Sequence, residues 1–394
     1  PMGEEIEKFT PVQYPANDSS SGFITTHFDY HSIDGNLLKL DILGHDVPQM
    51  IRHLQNMTGV DPMTIDVADK KVISLFTSTE ALNIQNPDYK FVHGTYAIPE
   101  FGTNFTRQML DDIQPTTISA LVKISGFSHG TDVWTNNGQE LLRDGKATID
   151  ELISCRDDIM NYLILKGIPN EEAFWIMEHV RKNKPLTEEE LETMKSHGVP
   201  DWYIWSCETL KYMFPRAHAV AYVMMAFRIA WFKVHRPLAF YAAYFSIRAK
   251  AFDQEFMCQG MDVCQKKMRE IIAKDKDASA VEQDMLTTLE VCYEFYLRGF
   301  TFRRMDLYLS DALHFRVDEE HKALIPPFIS VAGLGETAAL SLAEQAKGRR
   351  FISVEEVSAA CPKASKTHID KLTEAGAFGD MPATSQLDLF AMLG

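Results

Sequence analysis

The chain lacks the cysteine spacings of zinc-binding and disulfide-stapled proteins. Its six cysteines, Cys155, Cys207, Cys258, Cys264, Cys292 and Cys361, include no C-x-x-C pair, so neither a zinc site nor a disulfide framework is indicated. Reduced thiols in a cytoplasmic protein are the plain reading. No apolar run reaches membrane-spanning length, and no signal peptide opens the chain. Positive charge is scarce: 39 Lys and Arg against 55 Asp and Glu leave a formal net charge of -16. That argues against non-specific adhesion to nucleic acid through overall charge, while leaving room for a local basic groove. What is present is ordinary for a globular protein. The 394 residues, 45% hydrophobic and 24% charged, suffice for two or three domains with a sizeable core. The opening Pro1-Met2-Gly3-Glu4-Glu5 sets a proline before the first methionine. This fits a chain cut from something longer, or a cloning remnant.

Residues 1 to about 55 carry short β-branched and aromatic stretches, such as Phe23-Ile24-Thr25-Thr26-His27-Phe28-Asp29-Tyr30. An apolar run and a helix start near Pro48 follow. Residues 56 to 250 read as mostly helical. Loop signals recur at Gly59-Val60-Asp61-Pro62, Asn86-Pro87-Asp88, Gly126 to Gly138 and Asn183-Lys184-Pro185. Thr187-Glu188-Glu189-Glu190 has the form of a capped helix start. Arg216 to Phe232 is apolar nearly all round, which predicts a buried helix. Pro215 suits its first turn, and Arg236-Pro237 bends or ends it. Residues 251 to 320, with Lys266-Lys267 and Lys274-Asp275-Lys276-Asp277, read as a helical connector with a mobile loop. Residues 321 to 382 form a compact unit opening with Pro326-Pro327 and holding four short helices. Its halves resemble a weak duplication, each with a glycine turn, Gly333-Leu334-Gly335 and Gly376-Ala377-Phe378-Gly379. A short tail, 383–394, follows Pro382.

Asp41 stands out chemically. It lies in Leu37-Leu38-Lys39-Leu40-Asp41-Ile42-Leu43-Gly44, and a charge in an apolar run is costly unless something binds it. A metal ion is the usual reason to accept that cost, but metal-dependent phosphoryl transfer uses more than one carboxylate. No Asp-x-Asp stands nearby to complete a set. On a strand, Lys39 and Asp41 would point to the same face. Asp41 would then hold Mg²⁺ while Lys39 faces a phosphate or steadies the carboxylate. A salt-bridged pair at a strand end is the plain alternative.

Three further signals carry chemistry. Phe328-Ile329-Ser330-Val331-Ala332-Gly333-Leu334-Gly335, followed by a helix, has the pattern of a helix-hairpin-helix. Gly333 and Gly335 would let backbone N–H groups reach a phosphate oxygen, a contact that grips nucleic acid without reading its sequence. Lys347, Arg349, Arg350, Lys363 and Lys366 would supply the charge, or simply form a solvated face. Gln386-Leu387-Asp388-Leu389-Phe390, near the end, matches the short tails by which bacterial enzymes dock on the sliding clamp. Gln386 would bond at a pocket rim, and Leu387, Leu389 and Phe390 would fill apolar pockets. The alternative is a tail folded back on its own domain. Finally, Ser154 followed by Asp157 resembles an N-cap, which puts the Arg156 cation in a helix's first turn, where an anion would stabilise it. Lys211, Arg216 and His218, with Tyr222 one turn further on, gather at the start of the buried helix. Together they would contact phosphates and stack on a base. Singly, a core histidine and a packing tyrosine are the simpler readings.

In ordered succession these segments resemble the C-terminal part of a bacterial replicative DNA polymerase III alpha subunit of the PolC type. The likeness runs through Phe9 to Pro15, Thr25 to Asp29, Leu38 to His45, Ile124 to Trp134, Cys155 to Met160 and Lys211 to Tyr222. It covers nearly the whole chain. The resemblance implies a mainly α, multidomain fold. A small α/β palm remnant over 1–55 and helical fingers over 56–250 come first. A helical connector over 251–320, tandem helix-hairpin-helix motifs over 321–382 and a clamp-binding tail follow.

It further implies that Asp41 is the third catalytic aspartate and that Arg156, Lys211, Arg216, His218 and Tyr222 lie where the fingers approach the incoming dNTP. Mg²⁺ would be the cofactor. Primer-template DNA, the sliding clamp (beta subunit) and other replisome proteins would be the partners, in the cytoplasm and with no membrane. The family's Asp-x-Asp, its exonuclease domain and its zinc-binding cysteines are expected upstream, so the chain alone is expected to lack polymerase activity. A non-catalytic DNA-binding and clamp-tethering protein is the rival reading.

Overall fold

The computed structural model describes residues 3–40, 44–84, 92–249 and 251–385. The chain divides into two compact units, Pro1–His45 and Asp46–Gly394. In the first, short 3₁₀ turns surround an antiparallel pair, β1 (Val12–Gln13) and β2 (Thr25–Thr26), with Val12 opposite Thr26. The pair is closed by the His27 amide donating to the Pro11 carbonyl at 2.7 Å. The run leading to Asp41 is not the strand considered from sequence: residues 37–40 have no regular structure. Leu38 is 83% exposed and Leu40 78%. A strand needs a neighbour for its backbone groups, and no strand among the described residues pairs with this stretch. The Lys39 ammonium lies over the Tyr30 ring, 5.1 Å from its centroid.

The second unit is mainly helical. It opens with α1 (Asp46–Thr58), and the helices that position the sites below are α2 (Ile118–His129), α3 (Arg156–Leu165), α4 (Arg216–His235), α5 (Pro237–Ile247), α6 (Met261–Ala273), α7 (Ala280–Leu297), α8 (Glu336–Ala346), α9 (Val354–Ala360) and α10 (Lys366–Glu374). Two local expectations from sequence hold. Thr187 and Glu190 form a reciprocal capping box, and α4 gives way at Arg236 to α5, which opens on Pro237. Others need correction. Gly126 is not a loop residue but lies inside α2, because a Cβ there would sit 2.5 Å from the Ser154 carbonyl oxygen. Glycine is what lets that backbone pack against the helix. Pro215 is the N-cap of α4 rather than part of its first turn. The helix is buried along Ala219, Val223, Ala226 and Phe227 but leaves Val220 exposed. Among the described helices α4 is also long and apolar enough to cross a membrane by length and composition, contrary to the expectation above. Its packing against α2 and α5, with Lys233 buried inside, makes it a core helix.

Two hydrophobic cores are present among the described residues. The larger runs from Val47 on α1 to Leu324, and the smaller gathers Met305, Leu307, Phe328, Leu334, Leu342, Val357 and Leu372. A three-stranded sheet of β3 (Thr301–Phe302), β4 (Arg316–Asp318) and β5 (Ala323–Ile325), in the order β3-β5-β4 with β3 parallel to β5, adds Phe302 and Leu324 to the larger core. The larger core contains a fully buried charged network. Lys233 on α4 and Glu294 on α7 are both fully buried, 2.7 Å apart. The Lys233 ammonium also donates to the Gly94 and Tyr96 carbonyls at 2.8 and 2.6 Å. Tyr241 on α5 donates to Glu294 at 2.6 Å. Burial pulls the Lys233 ammonium down to about 8, with Glu294 opposing.

Candidate functional site

Three helix ends meet in the larger unit: the C-terminus of α2 and the N-termini of α3 and α4. The two N-termini are joined reciprocally. The Arg156 amide donates to the Phe214 carbonyl at 3.3 Å, and the Arg216 amide donates to Asp157 Oδ2 at 2.7 Å. A carboxylate at a helix N-terminus meets both unpaired amides and the positive end of the dipole. Asp157 therefore caps α4 from α3, a bond between residues far apart in sequence.

Asp158 holds the same junction from beneath. Its Oδ2 accepts from the Ser154 amide at 2.9 Å, the Ser154 hydroxyl at 2.7 Å and the Lys123 ammonium at 3.2 Å. Its Oδ1 lies 3.6 Å from Arg216. Burial opposes its charge, but Lys123 and the Ser154 donors win and keep the carboxyl below its ordinary value. The N-cap of α3 is Cys155, not Ser154 as the sequence pattern implied. The Ser154 hydroxyl is already spent on Asp158. Arg156 nonetheless occupies the first turn, as expected, and forms no ion pair among the described residues.

A stack of rings runs beside this junction. Phe214 and His218 lie parallel, with centroids 4.5 Å apart and planes 6° apart, and Tyr222 follows 4.4 Å from His218. His129, the last residue of α2, packs edge-on against both Phe214 and His218. Its two nitrogens lie 2.7 Å from the Ser125 carbonyl and 2.7 Å from Glu100 Oε2. Both contacts suit an imidazolium, and the Glu100 bond, against burial, raises the His129 pKa. His218 shifts the other way, lowered by burial and then by the His129 charge. Two adjacent histidines are thus shifted in opposite directions. Lys211 stands at the edge. Its amide donates to the Thr131 carbonyl at 3.2 Å, and its ammonium pairs with Asp132 at 2.7 Å.

The structure brings Arg156, Arg216, His218 and Tyr222 together and sets Lys211 alongside. Sequence reasoning missed Glu100, Lys123, His129, Asp157 and Asp158 as parts of the site. His129 had a visible signal, lying inside the Ile124 to Trp134 motif. Asp157 and Asp158 likewise lie inside the Cys155 to Met160 motif, whereas Glu100 and Lys123 act through long-range contacts that spacing does not reveal.

The smaller core holds paired hairpins. Gly333 has φ +85°, a conformation that glycine alone adopts cheaply. It turns the chain from the Phe328–Ser330 turn into α8, whose N-cap is Gly335. The second hairpin is α9 and α10, joined by Cys361 to Ser365. Here the expected duplication needs correction, because Gly376 to Gly379 follows α10 and joins no hairpin. The repeat is instead one of burial and capping. Val331, Leu334 and Leu342 recur as Cys361, Ala364 and Leu372, all buried, and the N-cap Gly335 recurs as the N-cap Ser365. The two turns face each other: Lys371 on α10 donates to the Ala332 carbonyl at 3.0 Å. His368 lies beside Gly333. Lys366 opens α10.

Lys347 and Arg349 do not join Gly333 and Gly335. They lie at the opposite end of α8, paired with Glu344 and Glu356. Asp41, Gln386, Leu387, Leu389 and Phe390 lie outside the described residues.

Helical fingers followed by a helix-hairpin-helix unit define a recognisable class. A model of the bacterial DNA polymerase III alpha subunit finger domain matches residues 47–199, and a helix-hairpin-helix motif model matches residues 299–386. The class is that of bacterial DNA polymerase III alpha subunits. Within it, the chain belongs to the PolC-type family. It is 51% identical over 390 residues, 99% of its length, to DNA polymerase III PolC-type of Caldanaerobacter subterraneus subsp. tengcongensis. It is 50% identical over 386 residues to that of Bacillus subtilis (strain 168) and 49% over 390 residues to that of Clostridium perfringens (strain 13 / Type A). The chain spans 28%, 27% and 27% of those three relatives.

Proposed function

We propose that this chain supplies the end of the palm (1–55), the fingers (56–250), the helical connector (251–320), the tandem hairpin domain (321–382) and the clamp-binding tail (383–394) of a replicative DNA-directed DNA polymerase. The parent enzyme would add deoxynucleotides to a primer 3′-OH, with pyrophosphate leaving, in the cytoplasm and alongside other replisome proteins.

The observation that carries this reading is the joined N-termini of α3 and α4 beside the Phe214–His218–Tyr222 stack. Helix N-termini favour phosphate. Arg156 and Arg216 add charge at that place, and Tyr222 at the end of the stack offers a ring face to a base. His129 in its charged form adds a further cation behind His218. The paired hairpin turns, with Gly333, Gly335 and Lys366, would grip the backbone of duplex DNA.

The described residues hold no group of three or more His, Cys, Asp or Glu placed to bind a metal. Asp41 would contribute one carboxylate to a Mg²⁺ site whose Asp-x-Asp would lie elsewhere in the parent enzyme. Bound there, Mg²⁺ would stabilise the attacking and leaving oxygens. On this reading the chain alone binds duplex DNA weakly, docks on the sliding clamp through Gln386, Leu387, Leu389 and Phe390, and does not extend a primer. The decisive variant is Asp41→Asn in the parent polymerase, which should abolish extension and leave duplex binding nearly unchanged. Extension that survives while DNA binding is lost would overturn the assignment.

A further inference from the structure

At the end of α8 remote from the Gly333 turn, four cations line one cavity of about 510 Å³. Arg316 comes from β4, and Lys347, Arg349 and Arg350 come from the loop after α8. Asp311 is the one carboxylate in that lining among the described residues. In a chain of net charge -16, such a concentration of positive charge runs against the background.

Two of the four cations have a structural reason. The C-terminal carbonyls of α8 attract Lys347 and Arg349, and each meets a carboxylate, Glu344 at 2.9 Å and Glu356 at 2.8 Å. Pairs this exposed contribute little. Among the described residues neither Arg350 nor Arg316 forms an ion pair, although the Arg316 charge acts on the Asp311 carboxylate. The Arg350 guanidinium lies over the Tyr308 ring, 4.3 Å from its centroid, and Tyr308 is fixed by accepting the Phe351 amide at 3.0 Å. No carboxylate pairs with Arg350 among the described residues. Arg316 donates through one nitrogen to the Leu309 carbonyl at 2.8 Å, which leaves its other N–H groups for a ligand. Asp311 accepts the Leu313 and His314 amides of its own loop at 2.9 and 3.0 Å, and its charge is also felt by Arg316 and Lys347, so a bound phosphate would compete with it for part of that positive charge.

We propose that this cavity binds a polyphosphate, with its oxygens accepting from Arg316, Arg349 and Arg350 and facing the Lys347 ammonium. Guanidinium groups held in place by stacking and backbone bonds match phosphate two oxygens at a time. The volume lies in the range of small-ligand sites. The same chemistry has two sources: a free di- or triphosphate chain, or the backbone of a nucleic-acid strand. The site is separate from the hairpin turn, because the 11 residues of α8 put about 16 Å between its ends. Nothing in it depends on the polymerase assignment.

The test uses the full chain, with inorganic tripolyphosphate followed by calorimetry and a short single-stranded oligonucleotide followed by anisotropy, at one ionic strength. Arg350→Ala and Arg316→Ala should each weaken at least one probe tenfold or more, with thermal melting unchanged. Weakening of tripolyphosphate alone identifies the free-chain source, and weakening of the oligonucleotide alone identifies the backbone. Gly333→Ala should leave tripolyphosphate affinity unchanged. If either alanine variant melts early, Arg350→Gln, which keeps a stem against Tyr308, serves instead. The proposal is overturned if the unaltered chain binds neither probe, or if the folded variants bind both as it does.

Discussion

Replacing Asp158 with asparagine should loosen the junction of α2, α3 and α4 without altering its shape. Asp158 is 10% exposed and Lys123 7%, so the variant leaves a buried ammonium facing a neutral amide. Breaking a buried ion pair by removing one partner costs about 3–5 kcal/mol. Lys123 keeps the Leu152 carbonyl at 2.6 Å, and an asparagine oxygen can still accept the Ser154 amide. The expected loss is therefore somewhat smaller, about 2–3 kcal/mol. Urea denaturation near neutral pH measures it.

The pH dependence follows from the direction of the shift. A carboxyl whose folded pKa is depressed contributes stability above its unfolded value, near 3.8, and loses it as pH falls through the folded value. The gap between the unaltered chain and Asp158→Asn should thus be full at pH 6 and shrink below about pH 4. Lys123→Met and the double variant close a cycle, in which the second substitution should cost far less than it does alone. Additive costs, or a gap that is the same at pH 6 and in acid, would refute the ion pair as the source of stability.

Four further variants have expected outcomes. Glu100→Gln should lower the His129 pKa, read by NMR titration of the ring. Because Glu100 raises that pKa, the associated stability is present below about pH 6.5 and lost as pH rises through the raised folded value. Gly333→Ala forces a Cβ into a positive-φ conformation, which costs about 1–2 kcal/mol. It should also weaken duplex binding, while Lys366→Ala should flatten the salt slope of that binding by about one unit. Replacing Gln386, Leu389 and Phe390 together with alanine in the parent polymerase should lower clamp-dependent processivity. Single-nucleotide insertion should stay as it was.

Local signals made part of this molecule legible. The Thr187–Glu190 box, the break at Arg236-Pro237 and the run from Phe328 to Gly335 each act within a few residues, where spacing and conformation are directly linked. Arg216, His218 and Tyr222 share one helix and are legible for the same reason; Arg156, distant in sequence, is set with them by the family likeness. What escaped was non-local. Gly126 reads as a loop signal until Ser154 is seen against it. Asp157 caps a helix that begins far along the chain, and Glu100 orients a histidine from another element. Lys347 and Arg349 show the converse error: they are close to Gly335 in sequence, but a rigid helix separates them in space. The second hairpin was misplaced because its turn uses Cys361, Ala364 and Ser365, which do the work of the first turn without glycine.

The buried pair of Lys233 and Glu294 constrains how this protein can change. Lys233 reaches back to the Gly94 and Tyr96 carbonyls from α4, and Glu294 stands on α7, more than sixty residues further along the chain. A chimaera that takes 56–250 from one relative and the remainder from another must inherit a matched pair, or leave a charge stranded in the core. Drift at either position alone meets the same barrier. Residues 56–250 and the segment that follows are thus heritable as one block, even where recombination between them would otherwise be harmless.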